Sequence, residues 1–187
     1  MTKTCTIIGC SPMCFPWGFD EEDEGCAALK LILMNRITRL RSEGCMCFAV
    51  SMDCGVGLYA AEIIHGLKAT DKELEVFCYV PYEELATKWT PELRDRYFNA
   101  LAVCTEVVNV AYGKTVGCEF KAYLDAMNEA DAMIAIYDPD NPRCEREAAA
   151  VAVAGMLNKQ ILTLDPKLSA YNNSKMDNLV YIVIFCR

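Results

Sequence analysis

The stretch that most constrains this chain is Ser51-Met52-Asp53-Cys54-Gly55-Val56-Gly57, set between an apolar run at residues 47–50 and a helical pattern at residues 56–67. A strand that stops at a small polar residue, turns through two glycines and opens a helix has a physical use. It directs unpaired backbone N–H groups and the positive end of the helix at one point. Such a point suits an anion such as a phosphate. Gly-x-Gly also serves ordinary tight turns, so the reading depends on what the rest of the chain brings to the same place.

The rest of the chain repeats the strand–loop–helix arrangement. Residues 4–8 form a β-rich run ending at Gly9-Cys10-Ser11-Pro12, a turn by its glycine and proline. An acidic run at residues 20–24 reads as a solvated helix start, and Cys26, Leu29, Leu33, Ile37 and Leu40 keep helical spacing up to Gly44. Strands are expected at residues 45–50, 74–80, 105–110, 132–137 and 160–164, with helices over 56–67, 92–103, 116–129 and 145–157. Thr90-Pro91 has the form of an N-cap followed by proline at the first helical position. Residues 169–178 are polar and read as a mobile connection, and the apolar run 179–185 reads as a last strand, covered or at a dimer interface. The alternation predicts a three-layer Rossmann-like α/β sandwich with a mostly parallel sheet of about six or seven strands. Neither a repeat nor a domain boundary interrupts it, so residues 1–187 are expected to form one domain. In such sheets ligands bind beyond the carboxyl ends of the strands, where strand order reverses. Residues 9–12, 51–57 and 138–144 are thereby expected to converge on one crevice.

Composition narrows the partners. The 18 Lys and Arg are dispersed in a chain of formal net charge −8, which argues against a DNA or RNA partner. No apolar run approaches the ~20 residues that span a bilayer, and the N-terminus lacks the apolar core of a signal peptide. A cytoplasmic location is expected. There the twelve cysteines would be thiols. Zinc-type Cys-x-x-Cys spacing is missing, so no metal site is expected from spacing. Cys5, Cys47 and Cys78 read as small hydrophobes within strands. His65, the only histidine, falls near the end of the second helix, beside its apolar stripe, where a structural or solvent-facing role is expected.

Several of these segments resemble one family. Gly9-Cys10-Ser11-Pro12 stands where a Thr-Gly-His-Arg-Pro-like turn is expected, and residues 51–62 resemble a Gly-Gly-x-x-Gly-x-Asp-x-x-Ala-Ala-Glu segment. Residues 84–97, with Trp89 and Tyr97, are similar to the stretch after the third strand. Asp131-Ala-Met-Ile-Ala-Ile-Tyr-Asp138 looks like the Ala-Asp-x-x-Ile-x-Val-Tyr-Asp run. Over residues 4–165 the chain resembles the YpsA-like (DUF1273) branch of the SLOG superfamily, the Rossmann-like group that includes DprA and the LOG proteins.

The resemblance implies a site for a nucleotide or an ADP-ribose-like ligand, often in a homodimer. By position, Gly9, Ser11, Ser51, Asp53, Gly55 and Gly57 would line its phosphate and ribose region, with Cys10 in the same turn. Glu62 matches the family's acidic residue, and Tyr137 and Asp138 mark a third wall. The chain also departs from the pattern. Cys10-Ser11 replaces His-Arg, Met52-Asp53 replaces glycine, and Asn141-Pro-Arg-Cys144 replaces a Gly-Gly-Thr turn. Arg143 could there supply a charge-assisted contact that proline cannot. Asp53 is expected to suit a ribose hydroxyl better than a phosphate.

Three functions compete. The first is a binding module for a nucleotide-derived small molecule, favoured by the absence of a Ser/His/Asp or Cys/His set. The second is an enzyme acting at an N-glycosidic bond, as in the related LOG proteins, with Glu62, Asp138, Glu145 and Glu147 as candidate carboxylates. The third is a redox or soft-metal site built from Cys10, Cys14, Cys54 and Cys144, where Cys54 and Cys144 would sit at helix starts that favour thiolates.

Overall fold

Six apolar runs pair as the strands of one sheet in the computed structural model, which describes residues 3–167. They are β1 (Lys3–Gly9), β2 (Cys45–Ser51), β3 (Glu75–Val80), β4 (Glu106–Asn109), β5 (Ala132–Ile136) and β6 (Gln160–Leu164). Every pairing is parallel, in the order β4-β3-β2-β1-β5-β6. Parallel strands need helical crossovers, and the described residues supply α1 (Glu24–Ser42), α2 (Val56–Lys68), α3 (Pro91–Val103), α4 (Cys118–Asn128) and α5 (Glu145–Met156). The expected three-layer Rossmann-like sandwich is the observed one. The expected strand at residues 179–185 and the connection at 169–178 lie outside the described residues.

The helices divide between the two faces. Helices α1, α2 and α3 pack side by side, α2 crossing β1, β2 and β3, while α4 lies on β1, β2 and β3 from the other side beside α5, which covers β5 and β6. Both faces of the central strands are therefore dry, which explains why their sequences are almost continuously apolar. Ile7, Phe48, Val50, Cys78 and Ile134 are all buried there, and Cys5 and Cys78 behave as the small hydrophobes expected of them.

Local chemistry sets the helix ends. Asp23 caps α1, its carboxylate accepting the Gly25 N–H at 2.7 Å, and Gly44 at φ +94° carries the chain away from the other end. Thr90 and Pro91 start α3 as expected. The acidic run is not a solvated cap throughout: α1 begins only at Glu24, and Glu21 turns inward to ion pairs. The reason is the bend at residues 15–23, which lays Glu21 against Lys30 and Arg96. No described helix is long and apolar enough to cross a membrane.

Chain order reverses between β1 and β5, since β2 is laid on one side of β1 and β5 on the other. The loops after β1 and β5 leave the sheet at this point, which is where a parallel sheet of this kind places its ligand crevice. The loop after β2 adjoins it. Cys10 continues the β1–β5 pairing for one residue through its N–H to the Ile136 carbonyl, 2.9 Å. The expected crevice would lie just beyond that bond.

Candidate functional site

Two close approaches bring the loops together. A Cβ on Gly9 would fall 2.3 Å from Val56, the first residue of α2, so only glycine lets β1 run against that helix start. A Cβ on Gly57 would fall 2.3 Å from the Ser51 carbonyl oxygen, a backbone atom that cannot turn aside. The second glycine thus fixes how tightly α2 folds back on β2. Ser51 is buried at the end of that strand.

Asp53 decides what the α2 N-terminus is for. Its Oδ1 accepts the N–H groups of Gly55 at 2.5 Å and Gly57 at 3.2 Å, so the amides that a phosphate would use are held by an internal carboxylate. Its Oδ2 is enclosed and has no hydrogen-bond partner. Burial pushes this carboxyl up to about 7, against the pull of the two amides and of Arg146.

Beneath the loops lies a second acidic group. Glu147, on the first turn of α5, is fully buried; its Oε1 accepts from Arg146 Nη2 at 3.0 Å and Nε at 3.1 Å. Tyr123 of α4 sets its hydroxyl 2.7 Å from the same oxygen and 2.9 Å from the Gly9 carbonyl. A phenol has one hydrogen to give, so it satisfies one of these acceptors at a time. The Arg146 guanidinium also lies 5.2 Å from the centre of the Tyr123 ring. Glu147 Oε2 is buried without a partner, the second such carboxylate oxygen in the neighbourhood. Asp53 and Glu147 repel one another while Arg146 attracts Asp53, which makes these side chains one electrostatic unit. Neither Tyr123 nor Arg146 stands out in the sequence, because each sits inside an ordinary helical pattern.

The other expected site residues fall into three groups. Ser11, Cys10, Tyr137, Asp138 and Arg143 lie on the loops after β1 and β5. Ser11 Oγ caps a 3-10 turn by accepting the Met13 N–H, and Tyr137 gives its N–H to the Leu164 carbonyl. Asp138 is buried and paired with Lys167 at 2.6 Å, which holds its carboxyl below the usual carboxylate range. Arg143 is exposed, with Nη1 3.5 Å from the Met13 carbonyl, so it bridges the loops after β5 and β1. Glu62 lies apart, both its oxygens bound by Arg96 at 2.7 and 2.8 Å. Glu145 is exposed at the start of α5, and His65 is exposed near the end of α2.

The thiols also sort themselves. The sulfurs of Cys10, Cys14 and Cys144 lie within 4.8 Å of one another. Cys54 is not among them, and burial followed by the Asp53 charge pushes its thiol up to about 12, opposite to the thiolate expected at a helix start. The helix dipole loses because burial and a neighbouring carboxylate outweigh it. A groove of about 200 Å³, with Leu40, Met133, Gln160 and Leu162 in its wall, opens elsewhere, at the N-terminal ends of β5 and β6.

Comparison with known proteins gives one consistent likeness. The profile of the YspA SLOG family (YpsA) matches residues 5–165. A UPF0398 protein of Halalkalibacterium halodurans is 27% identical over 129 residues, covering 66% of this chain and 67% of its own length. A UPF0398 protein of Bacillus cereus strain G9842 is 26% identical over 143 residues, covering 75% and 77% respectively.

Proposed function

The chain belongs to the YspA SLOG family, and from that premise we propose that its crevice binds a nucleotide or a nucleotide-derived small molecule such as an ADP-ribose-like compound. The observation that carries the reading is Asp53. Its Oδ1 is spent on the Gly55 and Gly57 amides, while Oδ2 is enclosed without a partner beside the point where strand order reverses. An enclosed acceptor left open costs about 1–3 kcal/mol, a cost that a ligand hydroxyl would remove. A ribose diol is a donor of that kind. The phosphates would then lie away from the α2 amides, toward Ser11 and Arg143 on the neighbouring loops.

A thermal-shift series with nucleotides and ADP-ribose tests this on the full chain. Stabilisation that rises with ligand concentration and weakens when the ribose is replaced by a deoxy analogue is the expected result. No stabilisation by any of them at millimolar concentration would overturn it.

One observation favours a second reading, cleavage of an N-glycosidic bond. An Asp53 carboxyl raised to about 7 can hold a proton at neutral pH and give it to a leaving base nitrogen while water adds to the sugar carbon and returns one proton to the Asp53 carboxylate. Free base and ribose phosphate would then accumulate from a nucleoside monophosphate. If neither appears on prolonged incubation, binding alone remains.

A further inference from the structure

The three-thiol cluster at the crevice rim is built by two matching turns. Ser11-Pro12-Met13-Cys14 and Asn141-Pro142-Arg143-Cys144 are both polar–Pro–x–Cys segments, and both form 3-10 turns. In each, the first side chain accepts the N–H two residues on: Met13 N–H to Ser11 Oγ, and Arg143 N–H to Asn141 Oδ1. In each, the cysteine N–H returns to the first residue's carbonyl, at 2.8 Å for Cys14 and 2.9 Å for Cys144. The turns face one another across the point where strand order reverses, one after β1 and one after β5. Cys10 stands between them, anchored by its bond to Ile136. Proline and side-chain caps fix both turns before anything binds, so the sulfurs are brought together by rigid backbone.

We propose that Cys10, Cys14 and Cys144 form a three-sulfur site for one thiophilic d10 cation, zinc(II) or copper(I). With a metal–sulfur bond of about 2.3 Å, three bound sulfurs stand about 4 Å apart, so a set already within 4.8 Å closes by small side-chain rotations. An all-sulfur set selects soft cations over magnesium or calcium. Copper(I) is satisfied by three thiolates; zinc(II) would keep a fourth position for water or a ligand. The surroundings favour a cation. The carboxylate of Glu147, itself buried, lies close by. The ion would exchange a metal–sulfur bond for each S–H and release that proton to solvent, so binding strengthens as pH rises. A disulfide between any two of them would need an external oxidant.

The site is independent of the nucleotide reading. The test uses the full chain, reduced and desalted under anaerobic conditions, then titrated separately with zinc(II), copper(I) and cobalt(II) as a coloured zinc surrogate. The account predicts one ion per chain in the zinc or the copper arm. It also predicts a thiolate-to-cobalt charge-transfer band and metal-edge X-ray absorption counting three sulfur neighbours. Cys14→Ser, at the most exposed of the three, is expected to lower affinity at least tenfold, whereas Cys54→Ser leaves it unchanged. The proposal is overturned if neither zinc nor copper binds stoichiometrically, if fewer than three sulfurs surround the bound ion, or if Cys14→Ser binds as the parent does. The X-ray absorption measurement uses the unaltered protein, so it decides even if a variant misfolds.

Discussion

Arg96 and Arg146 each stand among acidic side chains, yet the two clusters are completed to different degrees. Arg96 grips Glu62 and Glu21 with paired contacts of 2.7 to 3.1 Å, and Lys30 closes on Glu21 at 2.5 Å. Every carboxylate oxygen in that clasp has a partner. It lies partly exposed where α1, α2 and α3 meet, and burial there loses to the hydrogen bonds, which hold the Glu21 carboxyl below its usual range. Around Arg146 burial wins. Asp53 is pushed up to about 7, Glu147 is fully enclosed, and one oxygen of each is left open. The first cluster fastens helices; the second is left incomplete, as a protein leaves groups intended for something else.

Removing the cation should separate the two most. Arg146→Met strips Glu147 of its charge partner and is expected to cost about 3 kcal/mol in denaturant unfolding. That is the low end for a broken buried pair, because the guanidinium itself is 37% exposed. Arg96→Ala should cost about 1 kcal/mol, less at high salt. Equal losses would erase the distinction.

The pH responses should run in opposite senses. A carboxyl raised in the folded state stabilises below its unfolded pKa, and the effect is lost as pH rises through the folded value. For Asp53 this window runs from about 4 to about 7. Glu21 is lowered, so its contribution is present above the unfolded value and lost on acidification. Unfolding free energies of the parent and Asp53→Asn, measured across pH 5 to 7.5, should therefore converge or diverge by about 2–3 kcal/mol. The parent should lose stability relative to the variant as pH rises. Parallel curves would mean that Asp53 is not held protonated.

Tyr123→Phe comes next in size. It removes the hydroxyl shared by Gly9 and Glu147 and should cost about 1–2 kcal/mol. Smallest of all, Glu62→Gln should leave ligand affinity within a factor of about 2, although the sequence resemblance implies the family's acidic residue at Glu62.

Much of this architecture is written in local pattern. Alternating apolar runs announced the parallel sheet, Thr90-Pro91 the start of α3, and the glycines the loops that converge on the crevice. Cys10, Cys14 and Cys144 could be placed at those loops, but their matching turns needed the backbone. Pairings across the fold were not legible. Arg96 meets Glu62 and Glu21 at sequence separations of 34 and 75, and Tyr123 reaches Gly9 across 114. Side-chain type at one position says nothing of such distances. Glu21 therefore read as solvated, and Tyr123 and Arg146 read as plain helix. Asp53 was legible as a polar residue in a glycine turn, but its bonds to the Gly55 and Gly57 amides depend on the fold of that turn.

The contrast between the clusters is tested most directly by calorimetric titration of ADP-ribose into the parent, Asp53→Asn and Glu62→Gln. The account predicts binding to the parent, at least tenfold weaker binding to Asp53→Asn, a loss of about 1.4 kcal/mol or more, and unchanged binding to Glu62→Gln. Loss of binding in Glu62→Gln with Asp53→Asn unaffected would contradict it.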